Sequence, residues 1–293
     1  MQRRQKTTMF KDILIPISSE FYSKRVLRRG VFLAEKYQSK LYLLYIIEEK
    51  TLSQTDKVIK SYRTSSEIEE TKKELINFQR QKADSIIFED AKELLQNKKI
   101  PFEEKIIEGE FSEVVEKELG KNQYDLILMG FEKECLLHYR LLESVGIPIW
   151  VEGEGDNNKI LAVCSNLAPN KKVPDMSVNL SETLGWELQM LYVVDIEDNV
   201  QVDEQGRRSN KKSEKDLLLK GQQFIEEMKD KKIPTRLVKG SLERETIVAA
   251  EDIDANLIIV GREQKKKGLL GIPVKNLKRK IAEKCKYSIL FIN

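Results

Sequence analysis

Five blocks of this 293-residue chain recur in the same order, and that repetition limits its possible folds more than any other feature. Lys11–Ser18 is echoed by Asn158–Ser165 at an offset of 147, and Leu41–Glu48 by Leu188–Asp195 at the same offset. Lys98–Pro101 matches Lys231–Pro234 at 133, Tyr124–Gly130 matches Ala255–Gly261 at 131, and Ile147–Val151 matches Tyr287–Phe291 at 140. The drifting offset means that one fold was duplicated and then lengthened in two different connections. The first copy is longer between its second and fourth blocks, the second copy between its fourth and fifth. The turn-forming stretch Glu152–Asn158 separates the copies, which predicts domains over 1–154 and 155–293. Roughly 100–200 residues per domain makes the length fit that division.

Within each copy, apolar runs of four to seven residues alternate with helical spacings. The runs are rich in Ile, Val, Leu and Tyr and suit strands buried on both faces. Val26, Leu27, Val31 and Ala34 share one helical stripe, as do Phe111, Val114, Val115 and Leu119. Leu217, Leu218, Phe224, Ile225 and Met228 form another. A long charged helix is predicted over Glu67–Asn97, with an inserted segment at Leu52–Lys73 ahead of and within it. Strand–helix alternation predicts an α/β fold of two tandem doubly wound, Rossmann-like domains, each a five-stranded parallel sheet flanked by helices. Such sheets bind ligands outside the carboxyl ends of their strands, where the strand order reverses.

Composition narrows the chemistry. The chain has one His and three Cys, without C-x-x-C spacing, which argues against a triad enzyme, a disulfide scaffold or a cysteine zinc cluster. His138 lies three residues after Cys135, a helical spacing that a surface His beside a Cys also explains. The mean hydropathy of −0.46 and the lack of a long apolar run exclude a membrane-spanning helix from the reading. The basic, polar start of the chain does not read as a secretory signal, so the expected location is cytoplasmic.

The blocks Ile13–Ile17, Leu41–Ile47, Asp125–Gly130 and Ile147–Val151 resemble the first, second, fourth and last strands of the universal stress protein A family. The second copy repeats the resemblance, which thus covers nearly the whole chain as a tandem member. The resemblance implies strand order 3-2-1-4-5 in each copy, an adenine nucleotide alpha hydrolase-like fold. It also implies pairing of last strands across a two-fold axis, here an intramolecular pseudo-dimer, with a further homodimer open. Trp150, Val151, Phe291 and Ile292 are the residues expected at that contact, since pairing removes exposed strand edges.

Nucleotide-binding members of the family carry an Asp after the first strand and a G-x2-G-x9-G-[ST] loop after the fourth. Glycines there let backbone N–H groups approach phosphate. This chain departs from both features. The Asp position holds Ser18 and Ser165, both expected at the carboxyl ends of central strands without an acidic partner for ribose or metal. After Gly130 come Glu132 and Glu134, in a connection too short for the loop. In the second copy Gly261 alone matches position by position. Gly268 and Gly271 stand at shifted spacing, and Lys275-Asn276 replaces the Gly-[ST] pair. Yet Gly261 to Lys286 holds ten Lys/Arg against two Glu, a local net of +8 in a chain of net +3. Lys265, Lys266 and Lys267 fall in the phosphate loop. They are either a solvated lysine-rich face or an anion site in which side-chain charge replaces glycine contacts.

The expected function is that of a non-enzymatic stress-response or regulatory protein with degenerate nucleotide motifs. No cofactor is required by the residues. ATP or AMP in the second domain is the alternative, with candidates Gly261, Lys265, Lys266, Lys267, Gly268, Gly271, Asn276 and Ser165. Slow ATP hydrolysis stays open, but only Glu263 offers a carboxylate in that loop. A second alternative is polyanion or nucleic-acid contact through 261–286, non-specific because no aromatic residue there could stack on bases. A protein partner is expected but not named by the residues.

Overall fold

The computed structural model describes residues 9–19, 22–48, 65–130, 141–142, 144–168, 171–203, 209–261, 281 and 283–292. The chain divides into two compact units, Met1–Leu141 and Leu142–Asn293.

The first unit runs β1 (Asp12–Ser18), α1 (Lys24–Tyr37), β2 (Lys40–Glu48), α2 (Ser65–Lys82), a π-helical turn (Ala83–Phe88), α3 (Glu89–Gln96), β3 (Phe102–Gly109), α4 (Phe111–Lys121) and β4 (Leu126–Gly130). Its strands lie in the order β3-β2-β1-β4, with β1 parallel to both β2 and β4. β1 and β2 are apolar at nearly every position because helices cover both faces, so no alternation marks an outer side. β3 is different: Glu103, Glu104 and Lys105 are exposed along it, which discourages pairing with another chain. The predicted long helix over 67–97 is present but is interrupted by the π turn. Ala83, Ile87, Phe88, Ala91 and Leu95 are buried along this stretch.

The second unit holds β5 (Ile149–Glu152), β6 (Lys159–Ser165), α5 (Lys172–Leu184), β7 (Glu187–Asp195), α6 (Glu214–Asp230), β8 (Thr235–Gly240), α7 (Leu242–Ile253), β9 (Leu257–Gly261) and β10 (Ser288–Ile292). The strand order is β5-β10-β9-β6-β7-β8. β6 to β10 are all parallel and reproduce the order 3-2-1-4-5. Gly185 ends α5 at φ 73°, the left-handed turn in which glycine carries no Cβ penalty.

β5 is the last strand of the first repeat, yet it belongs to the second unit through its contacts. It runs antiparallel to β10, with Val151 opposite Ile289, Trp150 opposite Leu290 and Ile149 opposite Phe291. The chain thus divides between Leu141 and Leu142, ahead of the 154/155 boundary read from the repeats. No helix among the described residues is long and apolar enough to cross a membrane.

Candidate functional site

In each unit the switch point lies where the first strand of the repeat parts from the fourth, between β1 and β4 and between β6 and β9. A crevice of about 360 Å³, open solvent included, stands at the first of these. Its walls are mostly apolar: Ile15, Ile17, Val26, Leu27 and Phe111, with Ser18 and Gly130 at the strand ends. Tyr22 also faces it. Burial, then the Asp90 carboxylate, push the Tyr22 hydroxyl up to about 12, so it stays protonated. That hydroxyl is buried and finds no hydrogen-bond partner among the described residues.

Ser18 is buried and donates its hydroxyl hydrogen bond to the carboxylate of Glu48, at the end of β2. This corrects the expectation of a serine without an acidic partner. The parallel register places Ser18 beside Ile46, so two further residues bring the buried Glu48 alongside the loop that leaves β1. The Glu48 N–H donates to Ser19 Oγ at 3.1 Å, and the Ser19 N–H to the Ile46 carbonyl at 2.8 Å. The polar groups leaving β1 are thus engaged with the end of β2.

In the second unit a serine and an acid again end neighbouring strands, but Asn166 stands between them. Ser165 is fully buried, accepts from the Leu167 N–H at 3.1 Å and donates to Asn166 Oδ1 at 3.4 Å. Asp195, at the end of β7, corresponds to Glu48 in the repeat. Its Oδ1 accepts from the N–H groups of Glu197 and Asp198 at 3.0 and 3.2 Å, and its Oδ2 from the Leu242 N–H at 2.8 Å. Asn166 joins the two strand ends. Its Nδ2 donates to the carbonyls of Asp195 and Val200, and its Oδ1 accepts from the Asp195 N–H at 2.7 Å.

Among the residues singled out from the sequence, Gly261 is buried at the end of β9, level with Ile292 of β10, and Ser165 ends the neighbouring strand β6. Lys265, Lys266, Lys267, Gly268, Gly271 and Asn276 lie outside the described residues, as do Cys135, His138, Glu132 and Glu134. Trp150, Val151, Phe291 and Ile292 are all buried and all in the second unit. Trp150 donates its indole N–H to Glu152 Oε2 at 2.9 Å, and Ser288 Oγ donates to the same oxygen at 3.1 Å.

Glu48, Asp195 and Asn166 were missed as site residues. The signal for the first two was present: each repeat's second block is an apolar run that ends on an acid, Glu48 or Asp195. Asn166 gave none, because its partners lie about 30 residues away.

The described residues offer little nucleophilic or metal chemistry. Burial pushes the Cys164 thiol up to about 12 and the Cys285 thiol up to about 11, so neither is a thiolate near neutral pH. No group of three His, Cys, Asp or Glu side chains that could hold a metal occurs among them.

The Universal stress protein family model matches the chain twice, over residues 9–149 and 157–293. A universal stress protein from Archaeoglobus fulgidus DSM 4304 has a similar structure, with a TM-score of 0.64 at 14% identity over 97% of this chain and 96% of that one. A protein of the universal stress class from Pseudomonas aeruginosa UCBPP-PA14 gives 0.65 at 12% identity, over 97% and 94%. At such identities the likeness speaks to the fold alone. No curated protein matches the chain.

Proposed function

Since the chain belongs to the Universal stress protein family, we propose that it is a non-enzymatic stress-response protein that acts by binding a partner, without a family-type nucleotide site in the first repeat and with that of the second repeat closed. One observation carries this reading. Both serines at the Asp position are buried, and the loops that follow them are tied to a carboxylate-bearing strand end. A ribose would have to displace the chain's own hydrogen bonds, among them the one that engages the Glu48 carboxylate with Ser18. Each buried bond broken without replacement costs about 1–3 kcal/mol. The low reactivity of the described thiols also supports a binding role over a catalytic one.

Calorimetric titration of the full chain with ATP and AMP, alongside mass spectrometry of co-purified small molecules, tests the reading. No nucleotide and no heat of binding are expected. Saturable binding at low micromolar concentration overturns it.

The lysine-rich stretch favours a second reading, an anion site entered from the buried Gly261. Titration with pyrophosphate and with an oligonucleotide, for wild type against Lys265/Lys266/Lys267→Ala, separates the two. An affinity that the triple variant loses, and that falls steeply with salt, supports the anion site. Equal behaviour of both proteins removes it.

A further inference from the structure

Of the α-helices among the described residues, only α1 carries a net positive charge. Its 14 residues hold Lys24, Arg25, Arg28, Arg29 and Lys36 against one acid, Glu35, a net of +4 in a chain of net +3. At about 100° per residue these cations fall on one side of the helix, and Phe32 stands at the middle of that side. Val26, Leu27, Val31, Leu33 and Ala34 take the other side and are buried. Arg28 and Lys36 are exposed, and Arg25 and Arg29 are half-buried. Lys24 pairs with Asp90 of α3 at 2.7 Å, and Glu35 with Lys98 at 2.7 Å. Three arginines and Lys36 make up the rest of the patch.

The aromatic ring gives this patch a second chemistry. Phe32 is half-buried, with the Arg29 guanidinium 5.6 Å and the Lys36 ammonium 5.8 Å from its ring centroid. A ring framed by cations offers a nucleobase a face to stack on while the cations meet its phosphates, and a guanidinium plane stacks on bases as well. The lysine-rich stretch 261–286 has no aromatic residue and lacks this combination. A lipid surface is a poorer match, because the apolar side of α1 is turned into the core and only one ring is left to enter a bilayer.

We propose that the outer face of α1, with Arg28, Arg29, Phe32 and Lys36, binds single-stranded nucleic acid, its phosphates on the cations and a base on Phe32. Arginine forks suit phosphate oxygens. Arg25 to Lys36 spans about 16 Å of helix, so the contact covers a few nucleotides and is salt-dependent and indifferent to sequence. The inference goes beyond the function proposed above, since it concerns neither nucleotide motif.

Fluorescence anisotropy of a labelled mixed-sequence oligonucleotide of about 12 nucleotides, titrated with the full chain from low to high salt, is the test. Arg28→Gln/Lys36→Gln should weaken binding about tenfold or more at low salt and lower the log–log salt slope by about 1.4, two contacts at about 0.7 each for a single strand. Phe32→Leu keeps an apolar side chain but removes the stacking face. Oligonucleotide affinity should then fall about fivefold or more with the slope unchanged, whereas binding of inorganic polyphosphate, which has no bases, stays as in wild type. Should the double variant unfold, seen as a lost thermal transition, Phe32→Leu measured against both probes still decides. Wild type that ignores the oligonucleotide, whether or not it binds anionic vesicles, overturns the inference. Equal affinity in wild type and both variants overturns it too, as does a loss confined to Lys265/Lys266/Lys267→Ala. Weakening by the double variant with Phe32→Leu unaffected rules out the nucleic acid and points to an acidic protein instead.

Discussion

The carboxylate of Asp195 accepts a hydrogen bond from the backbone N–H of Leu242 at 2.8 Å, so the end of one strand satisfies the first turn of a helix 47 residues further on. The negative charge sits where the helix dipole favours it, and the other oxygen holds the N–H groups of Glu197 and Asp198. Asp195→Ala leaves three donors without their acceptor. The expected loss is about 2–4 kcal/mol, read as a lower urea midpoint for the second unit. An unchanged midpoint would mean that water replaces the carboxylate without cost.

Gly153 is held against the chain just ahead of β10. A Cβ there would stand 2.3 Å from the Tyr287 carbonyl carbon and 2.5 Å from the Lys286 oxygen, both backbone atoms that cannot rotate away. The Gly153 N–H also donates to Ser288 Oγ at 3.0 Å. Gly153→Ala is expected to cost about 1–3 kcal/mol through this overlap. Gly120, in α4, has nothing within 4 Å of its would-be Cβ, and Gly120→Ala should stabilise by about 0.5–1 kcal/mol. Thermal midpoints that shift in opposite directions are the check.

The contrast between those two glycines shows what the sequence could and could not reveal. The strand order 8-7-6-9-10 is the one that the resemblance to the universal stress protein A family implied, while the repeated blocks marked the strands themselves, because strands buried on both faces leave continuous apolar runs that survive duplication. The place of Gly153 was not legible, since its neighbours are more than 130 residues away and it read only as a turn former. The π turn at Ala83–Phe88 was hidden for another reason: the apolar spacing read as one continuous helix over 67–97 and carried no mark of the added residue. Asn166 and Val200 look like ordinary loop residues until the fold brings them together.

Glu118 gives the first unit a pH dependence. Burial alone would raise its pKa, but the Lys105 ammonium, the Tyr124 hydroxyl and the Asn122 amide all bond to it and hold it below its usual 4.5. A carboxylate held low contributes stability above its unfolded pKa and loses it as pH falls through its own lower value. Glu118→Gln removes that contribution. The gap in denaturation midpoint between wild type and variant should be wide at neutral pH and narrow as pH drops below 4.5. A gap that stays constant with pH would mean that Glu118 acts through packing and neutral hydrogen bonds alone.

Ser165→Asp separates a lost motif from a closed crevice. The substitution restores the residue type that nucleotide-binding members carry after the first strand, so an open crevice would gain affinity for ATP. Ser165 is fully buried, however, and its hydroxyl already accepts from the Leu167 N–H while contacting Asn166, which in turn holds Asp195. A second carboxylate added there enters a site without solvent, next to a network that already carries one negative charge, and an unpaired buried charge is strongly disfavoured. The expected outcome is a second unit less stable by about 1–3 kcal/mol and no heat on ATP titration. Affinity gained without loss of stability would show that the first-strand loop opens readily, and that the missing Asp alone had silenced the site.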